Sequence, residues 1–358
     1  MRESKKVNAK TVLALEPGTF IRRDHRHFVF QRKNAKPFSL PLLRIKQLIL
    51  GRGVGITVNA LSSTFRANIP VTFEDYDGSV LGMTVGPCHS DATTRLAQYE
   101  AYRAPAVRLL LAKRLVNAKL ANATEVLWRF RKNHPSFACR KAIRGLREMI
   151  KRLNNCLDLP GVRGCEGMAG RFYFESFGGM LLKNFAFQGR TRQPPRDPVN
   201  ALLSYGYTIL ARRMAAILEW SGLDPYFGFL HELQPGRPSL ALDLIEPLRP
   251  HFIDRLVLNV VNREQIIPSD FESAKPDGAV WLTPVGRQKF LAALESFFDG
   301  RLERRLDDLV SDFRHALVTG TPGDWQPNPV ATSYEGAPER LNPFDGFADA
   351  PGADGVSE

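Results

Sequence analysis

Pro87-Cys-His-Ser-Asp-Ala-Thr-Thr-Arg-Leu-Ala-Gln-Tyr-Glu-Ala-Tyr-Arg103 is the stretch across which the hydrophobic period of this chain changes, from the short alternating runs of strands to the three-and-four spacing of helices. Upstream, from about residue 11 to 86, short strands are predicted at Val12 to Leu15, Thr19 to Arg22, His27 to Gln31, Pro37 to Leu40, Ile45 to Leu50, Ile69 to Phe73 and Ser79 to Val85. Pro17-Gly18, Asn34, Gly51 to Gly55 and the hairpin signal Asp77-Gly78 punctuate them. One helix interrupts this β region, over Ala60 to Asn68 with Asn59 as its cap. Gly51-Arg-Gly-Val-Gly55 lacks the spacing and the Lys-Ser/Thr of a phosphate loop and reads as a tight turn.

Downstream, Asp91 to Leu120 carries Leu96, Tyr99, Val107, Leu110, Leu111 and Leu115 on one face, interleaved with Arg95, Arg103, Arg108, Lys113, Arg114 and Lys119. Further helices are predicted at Ala138 to Leu157, Glu166 to Phe177, Val199 to Trp220, about Leu240 to Arg249, Phe252 to Val261, Thr283 to Phe298 and Leu302 to Leu317. The fold class is therefore α+β. A small β-strand domain over 1–88 and a linker over 89–97 lead into an all-α-helical domain over 98–320. From Thr321 to Glu358 seven acidic residues face one arginine in a Pro/Gly-rich segment without period, predicted to be a disordered tail.

The 358 residues carry 44% hydrophobic and 24% charged side chains, a globular balance that excludes disorder of the whole chain. The net charge of +12 points to an anionic polymer as partner, and removing the tail's −6 leaves about +18 on the rest. Nucleic acid is the first candidate. A membrane partner is set aside because no stretch reaches the roughly 18 to 20 apolar residues of a span. No export signal precedes the first strand, and four cysteines without Cys-x-x-Cys spacing read as reduced thiols, so a cytoplasmic location is expected.

Four polar groups lie in apolar settings where a charge or an imidazole is costly to bury alone. Glu166 sits among small residues in Gly164-Cys-Glu-Gly-Met-Ala-Gly170, and His231 follows the aromatic run Tyr226-Phe-Gly-Phe-Leu230. Asp243 and Glu246, three apart, share a helix face for which Ser239 is the predicted cap. Each has an ordinary explanation by itself: a carboxylate favoured by a helix N-terminus, a hydrogen-bonded core histidine, a solvated helix face. Together, carboxylates with one imidazole and no cysteine suit a hard divalent ion, Mg²⁺ or Mn²⁺, better than structural zinc.

The phrases Gly164-Cys-Glu-Gly-Met-Ala-Gly-Arg-Phe-Tyr-Phe174, Asp197-Pro-Val-Asn-Ala-Leu-Leu-Ser-Tyr-Gly-Tyr207, Leu223-Asp-Pro-Tyr-Phe-Gly-Phe-Leu-His231 and Gly236-Arg-Pro-Ser-Leu-Ala-Leu-Asp-Leu-Ile-Glu-Pro-Leu-Arg-Pro250 resemble the CRISPR-associated protein one family, the endonuclease-integrases of spacer acquisition. The resemblance runs from about residue 11 to 317. It implies a β domain that forms a homodimer contact and a helical domain that holds the active site. A small ferredoxin-like adaptation protein is the implied partner. It also implies metal ligation by Glu166, His231 and Glu246, with Asp243 supporting the metal or a second ion. Glu246 stands where many members carry Asp, and the acidic tail has no counterpart in the resemblance. The implied reaction is attack by the 3′-hydroxyl of a captured double-stranded DNA fragment on a phosphodiester at the edge of a CRISPR repeat, with Arg95, Lys113, Lys119, Arg171, Arg190, Arg192 and Arg237 as candidate phosphate contacts. Two other readings share these residues: a related transposon integrase or a nuclease on branched DNA, and a DNA-binding scaffold without catalysis.

Overall fold

Ile45–Gly51 (β5), seven residues long, is buried along most of its length on both faces despite Lys46 and Gln47, which suits a strand flanked by parallel neighbours. In the computed structural model, which describes residues 10–75, 80–84, 92–134, 137–183, 185–191, 194–274, 278–298 and 301–327, that is its place. Lys10–Ala14 (β1) and Val71–Glu74 (β7) pair with it in parallel, and Val80–Thr84 (β8) closes the sheet antiparallel to β7. A second sheet has the order β4-β3-β2-β6, from Phe38–Pro41 (β4), His27–Gln31 (β3), Phe20–Asp24 (β2) and the two-residue Gly55–Ile56 (β6). Ile21 and Phe28 of this sheet and Leu48, Leu50 and Val71 of the first lie in one core.

Gly51 ends β5 where any Cβ would stand 2.9 Å from the Leu15 backbone, so the turn after it requires glycine at that point. The helix within this region, Val58–Arg66 (α1), is capped by Thr57, whose side chain accepts from the Ala60 amide, and not by Asn59. Thr57 has the extended backbone of a cap, whereas Asn59 is already inside the first turn. The Asp77-Gly78 turn lies outside the described residues.

The chain divides into two compact units, Met1–Ala92 with Glu219–Leu223, and Thr93–Leu218 with Asp224–Glu358. The second is largely helical. Ala92–Arg103 (α2) and Pro105–Asn133 (α3) replace the single helix expected from Asp91, because Pro105 lacks the amide a continuing helix needs and starts a new one instead. Packed on α3 are Phe137–Asn154 (α4) and Leu159–Phe177 (α5). Pro198–Trp220 (α6) and Ser239–Ile245 (α7) follow, then a π-helical turn over Arg249–Asp254 that runs into the fully buried Arg255–Asn262 (α8). Beyond the helices expected there, Phe271–Ala274 (β9) and Ala279–Leu282 (β10) form a two-stranded hairpin before Pro284–Phe298 (α9) and Arg301–Val318 (α10).

Two boundaries differ in ways that matter. α5 begins seven residues before the predicted start, with Asp158 accepting from the Gly161 amide at 2.8 Å and Pro160 in the first turn. The acidic tail does not begin at Thr321: Trp325 is buried, its ring meets Phe313 edge-on at 4.8 Å, and Arg114 donates to the carbonyls of Pro322 and Trp325. One tryptophan can outweigh the polar composition around it. The expected disordered segment from residue 328 onward lies outside the described residues. Cys139 is buried, the sulfurs of Cys156 and Cys165 lie 3.7 Å apart as thiols, and Cys88 is outside the described residues. Among the described residues no helix is long and apolar enough to cross a membrane.

Candidate active site

Glu166 projects from the second turn of α5, well inside the helix, so the helix-terminus explanation does not apply to it. Glu246 stands at the C-cap of α7, and Asn122 of α3 holds the adjoining Pro247 carbonyl at 2.6 Å. Three residues before Asn122, and so on the same face of α3, Lys119 extends its ammonium between the two carboxylates. It bonds Glu166 Oε1 and lies 2.7 Å from Glu246 Oε2. Arg249, one turn after Glu246, pairs with the other oxygen at 3.0 Å. Burial disfavours the Glu246 carboxylate, but Arg249, Lys119 and His231 outweigh it and hold its pKa at about 2. Burial likewise opposes the Lys119 charge, and Glu246 and Glu166 more than offset that, raising its pKa. Lys119, half-buried at 17% exposed, is thus a counter-ion of the cluster in this structure.

His231 is oriented by Asp243. The fully buried carboxylate accepts from the Phe229 amide at 2.5 Å, the Leu230 amide at 2.8 Å and the His231 amide at 3.1 Å, and its Oδ1 meets His231 Nδ1 at 2.5 Å. Gly228 makes this approach possible, since a Cβ there would sit 2.7 Å from Asp243 Oδ2. With Nδ1–H donating to Asp243, the lone pair of Nε2 is left available on a side chain that is 21% exposed. Asp243 thus commits both oxygens to this chain's own donors and is the more deeply buried member of the acidic pair. Ser239 is not a cap; its hydroxyl donates to the Glu232 carbonyl at 3.0 Å. The loop is tied down further from α3 and α5: Arg108 donates to the Phe229 carbonyl and Arg163 to the Leu230 carbonyl, and each pairs with Glu232. Hydrogen bonds from Arg163 and then Arg108 lower the Glu232 pKa. Neither arginine was among the expected site residues, although Arg163, three before Glu166, shares its helix face.

The carboxylates and imidazole of this cluster are of the types a hard divalent ion takes, and in this structure the buried Glu246 Oε2 is met by the Lys119 ammonium at 2.7 Å. Among the described residues no three His, Cys, Asp or Glu side chains stand close enough to hold an ion together.

The other expected phosphate contacts are dispersed. Arg171 is exposed on α5, and Arg95 is half-buried on α2. Lys113 donates to the Asn154 carbonyl, and Arg237 to the Gln234 side chain. Arg190 is a structural residue, bonded to Asn200 and Ser204 and lying over the Tyr207 ring, while Arg192 is outside the described residues. Beyond Arg249, Tyr207 donates to the buried Asp254 at 2.5 Å. Burial raises the Asp254 pKa to about 6 against the lowering effect of its tyrosine and arginine neighbours.

An endonuclease, Cas1 2, of Rhodospirillum rubrum is 34% identical over 294 residues, 79% of this chain and 84% of its own length. An endonuclease, Cas1 3, of Thermus thermophilus is 34% identical over 279 residues, 78% and 81% of the two chains. Among solved structures, a Cas1 protein from Thermotoga maritima superposes with a TM-score of 0.76 at 22% identity, covering 86% of this chain and 97% of that one. A casposase bound to integration product gives 0.76 at 22% identity, covering 89% and 95%. At those identities the structures establish the fold alone. The model of the family described as CRISPR associated protein Cas1 matches residues 12–296, and with it and the curated relatives agreeing, this chain belongs to the Cas1 family.

Proposed function

We propose that this protein is a metal-dependent DNA endonuclease and integrase that inserts DNA fragments into a CRISPR array as new spacers. The observation that carries the reading is the meeting of two carboxylates, Glu166 from α5 and Glu246 from the end of α7, at one cationic point beside an Asp-locked imidazole. Membership of a family whose curated relatives are called endonucleases supports it, and favours a CRISPR array over a transposon end as the target.

Glu166, Glu246 and His231 through Nε2 are the residues that would hold Mg²⁺ or Mn²⁺. Bound there, the ion would polarise the scissile phosphate and stabilise the leaving 3′-oxygen. The chain's own groups do the rest. Asp243 fixes the tautomer and direction of His231, Arg249 holds Glu246 on its far oxygen, and both cost little reorganisation because they are built before substrate arrives. The nucleophile is a DNA 3′-hydroxyl, so no serine or tyrosine of the chain is required. What remains for the protein is alignment.

The helical unit supplies this chemistry, and the β unit supplies a homodimer contact. Phe28, Val29 and Ile45 of the β unit are buried, whereas Phe20 and Phe38 remain exposed and are the apolar groups offered for such a contact. A small ferredoxin-like adaptation protein completes the assembly; two related folds come from Cas6-RT-Cas1–Cas2 complexes. Genomic DNA as target puts the work in the cytoplasm. The test is cleavage of labelled DNA in Mn²⁺ by wild type and by Glu166→Ala, His231→Ala and Glu246→Ala. Each substitution is expected to abolish metal-dependent cleavage and leave most DNA affinity, because phosphate contacts dominate binding. Full activity in any one variant removes that residue from the ligand set.

A further inference from the structure

Glu232 is bound in a way that its surroundings do not need. Arg108 on α3 and Arg163 on α5 each use one donor to hold the His231 loop by its backbone, Arg108 through Nε to the Phe229 carbonyl at 3.2 Å and Arg163 through Nη1 to the Leu230 carbonyl at 3.0 Å. Each also turns a nitrogen toward the same carboxylate, Arg108 Nη2 at 3.1 Å from Glu232 Oε2 and Arg163 Nη1 at 2.7 Å from Oε1. The two guanidinium groups are well covered, at 17% and 32% exposed, and Arg108 lies 4.7 Å over the Tyr102 ring. Glu232 is the open member at 54%. An ion pair with so exposed a partner contributes little to stability, and the backbone contacts already anchor the loop.

Two arginines held by backbone carbonyls and converging from different helices, one nitrogen each, on the two oxygens of one singly charged group describe a receptor for a phosphodiester as well as for a carboxylate. The place is also suited to one. Glu232 adjoins His231, and Arg163 lies one helical turn before Glu166, so the pair of arginines flanks the cluster where the scissile phosphate would be handled. We infer that Arg108 and Arg163 form a binding subsite for a DNA backbone phosphate neighbouring the scissile one, and that Glu232 covers this subsite as a tethered competitor until DNA displaces its carboxylate. The inference rests on the proposed DNA-processing function and adds to it a specific pair of phosphate contacts with a built-in occupant. It also accounts for an acidic residue in the middle of a site that must receive a polyanion: the carboxylate neutralises two arginines in the free protein and leaves on an exposed side chain.

The experiment is a double-mutant cycle read by fluorescence anisotropy of labelled duplex DNA in EDTA, over a salt series, with the full-length chain as wild type, Glu232→Gln, Arg163→Met and the double variant. Circular dichroism checks the fold of each, and Arg108→Met carries the same cycle if Arg163→Met does not fold. Glu232→Gln is expected to bind several-fold tighter at low salt, and Arg163→Met to flatten the salt dependence by about one unit of slope. In the Arg163→Met background the gain from Glu232→Gln should disappear. A gain of equal size in both backgrounds would reduce Glu232 to a general negative charge and overturn the subsite, as would no gain at all. Failure of the wild type to bind DNA under any salt condition would instead overturn the functional reading, and the subsite with it.

Discussion

Asp243→Asn tests the organisation of the site with the smallest change in shape. The native carboxylate accepts four hydrogen bonds in a fully buried position, three from backbone amides and one from His231 Nδ1. Bonds to a charged group contribute about 1.5 to 3 kcal/mol each, but they share one acceptor and do not add. Asparagine keeps one oxygen, which can still serve the Phe229 and Leu230 amides. Its NH₂ group then faces the two His231 donors. The imidazole can escape that clash by accepting at Nδ1 and carrying its proton on Nε2, whereas the His231 amide loses its partner outright. Counting one orphaned buried amide and the weakened remainder, the loss of stability should be roughly 2 to 4 kcal/mol. The tautomer change also removes the Nε2 lone pair. Urea unfolding followed by circular dichroism reads the first effect, and Mn²⁺ titration by electron paramagnetic resonance reads the second. DNA affinity should stay near wild type. A stability loss under about 1 kcal/mol, or unchanged Mn²⁺ binding, would refute the claim that Asp243 holds His231 in its working tautomer.

Other expectations follow from the same geometry. Asp254 binds its proton more tightly in the folded state, with a pKa of about 6, so its stabilising contribution is complete below its ordinary pKa and is lost as pH rises through 6. The stability difference between wild type and Asp254→Asn should therefore shift in favour of wild type by up to roughly 3 kcal/mol between pH 8 and pH 4, measured by urea unfolding at each pH. Trp325→Ala should cost about 3 to 5 kcal/mol by the same method, as for other buried tryptophans. Deletion of residues 328–358 removes six acidic residues and one arginine; it should leave cleavage intact and raise DNA affinity slightly at low salt. Light scattering should give a dimer at micromolar concentration, and charged residues at Phe20 and Phe38 together should shift it to monomer.

The two regimes of the fold were legible because the β region and the helices differ in hydrophobic period, and the strand His27–Gln31 was read to the residue. The early start of α5 went unread because Gly161 and Gly164 dilute its apolar pattern, although Asp158 and Pro160 carried a start signal. Glu166, His231, Asp243 and Glu246 stand out locally by being polar among apolar neighbours. Their partners do not. Lys119 lies 47 residues from Glu166, and on its own helix it looks like any other member of a basic face. The contacts of Arg108 and Arg163 with the His231 loop span 121 and 67 residues, beyond the reach of any periodicity. The composition around Trp325 is that of a disordered segment, and the burial of this one side chain decides the outcome.

The most direct measurement is strand transfer of a labelled DNA fragment into a supercoiled plasmid bearing CRISPR repeats, in Mn²⁺ or Mg²⁺, with the small adaptation partner present. Fragments ending in a 3′-hydroxyl are compared with fragments ending in a 3′-deoxy sugar. Joined product is expected at the repeat edge only with the hydroxyl, only with metal, and not with Glu246→Ala. Joining that survives loss of the hydroxyl, or that persists undiminished in Glu246→Ala, would contradict the proposed function.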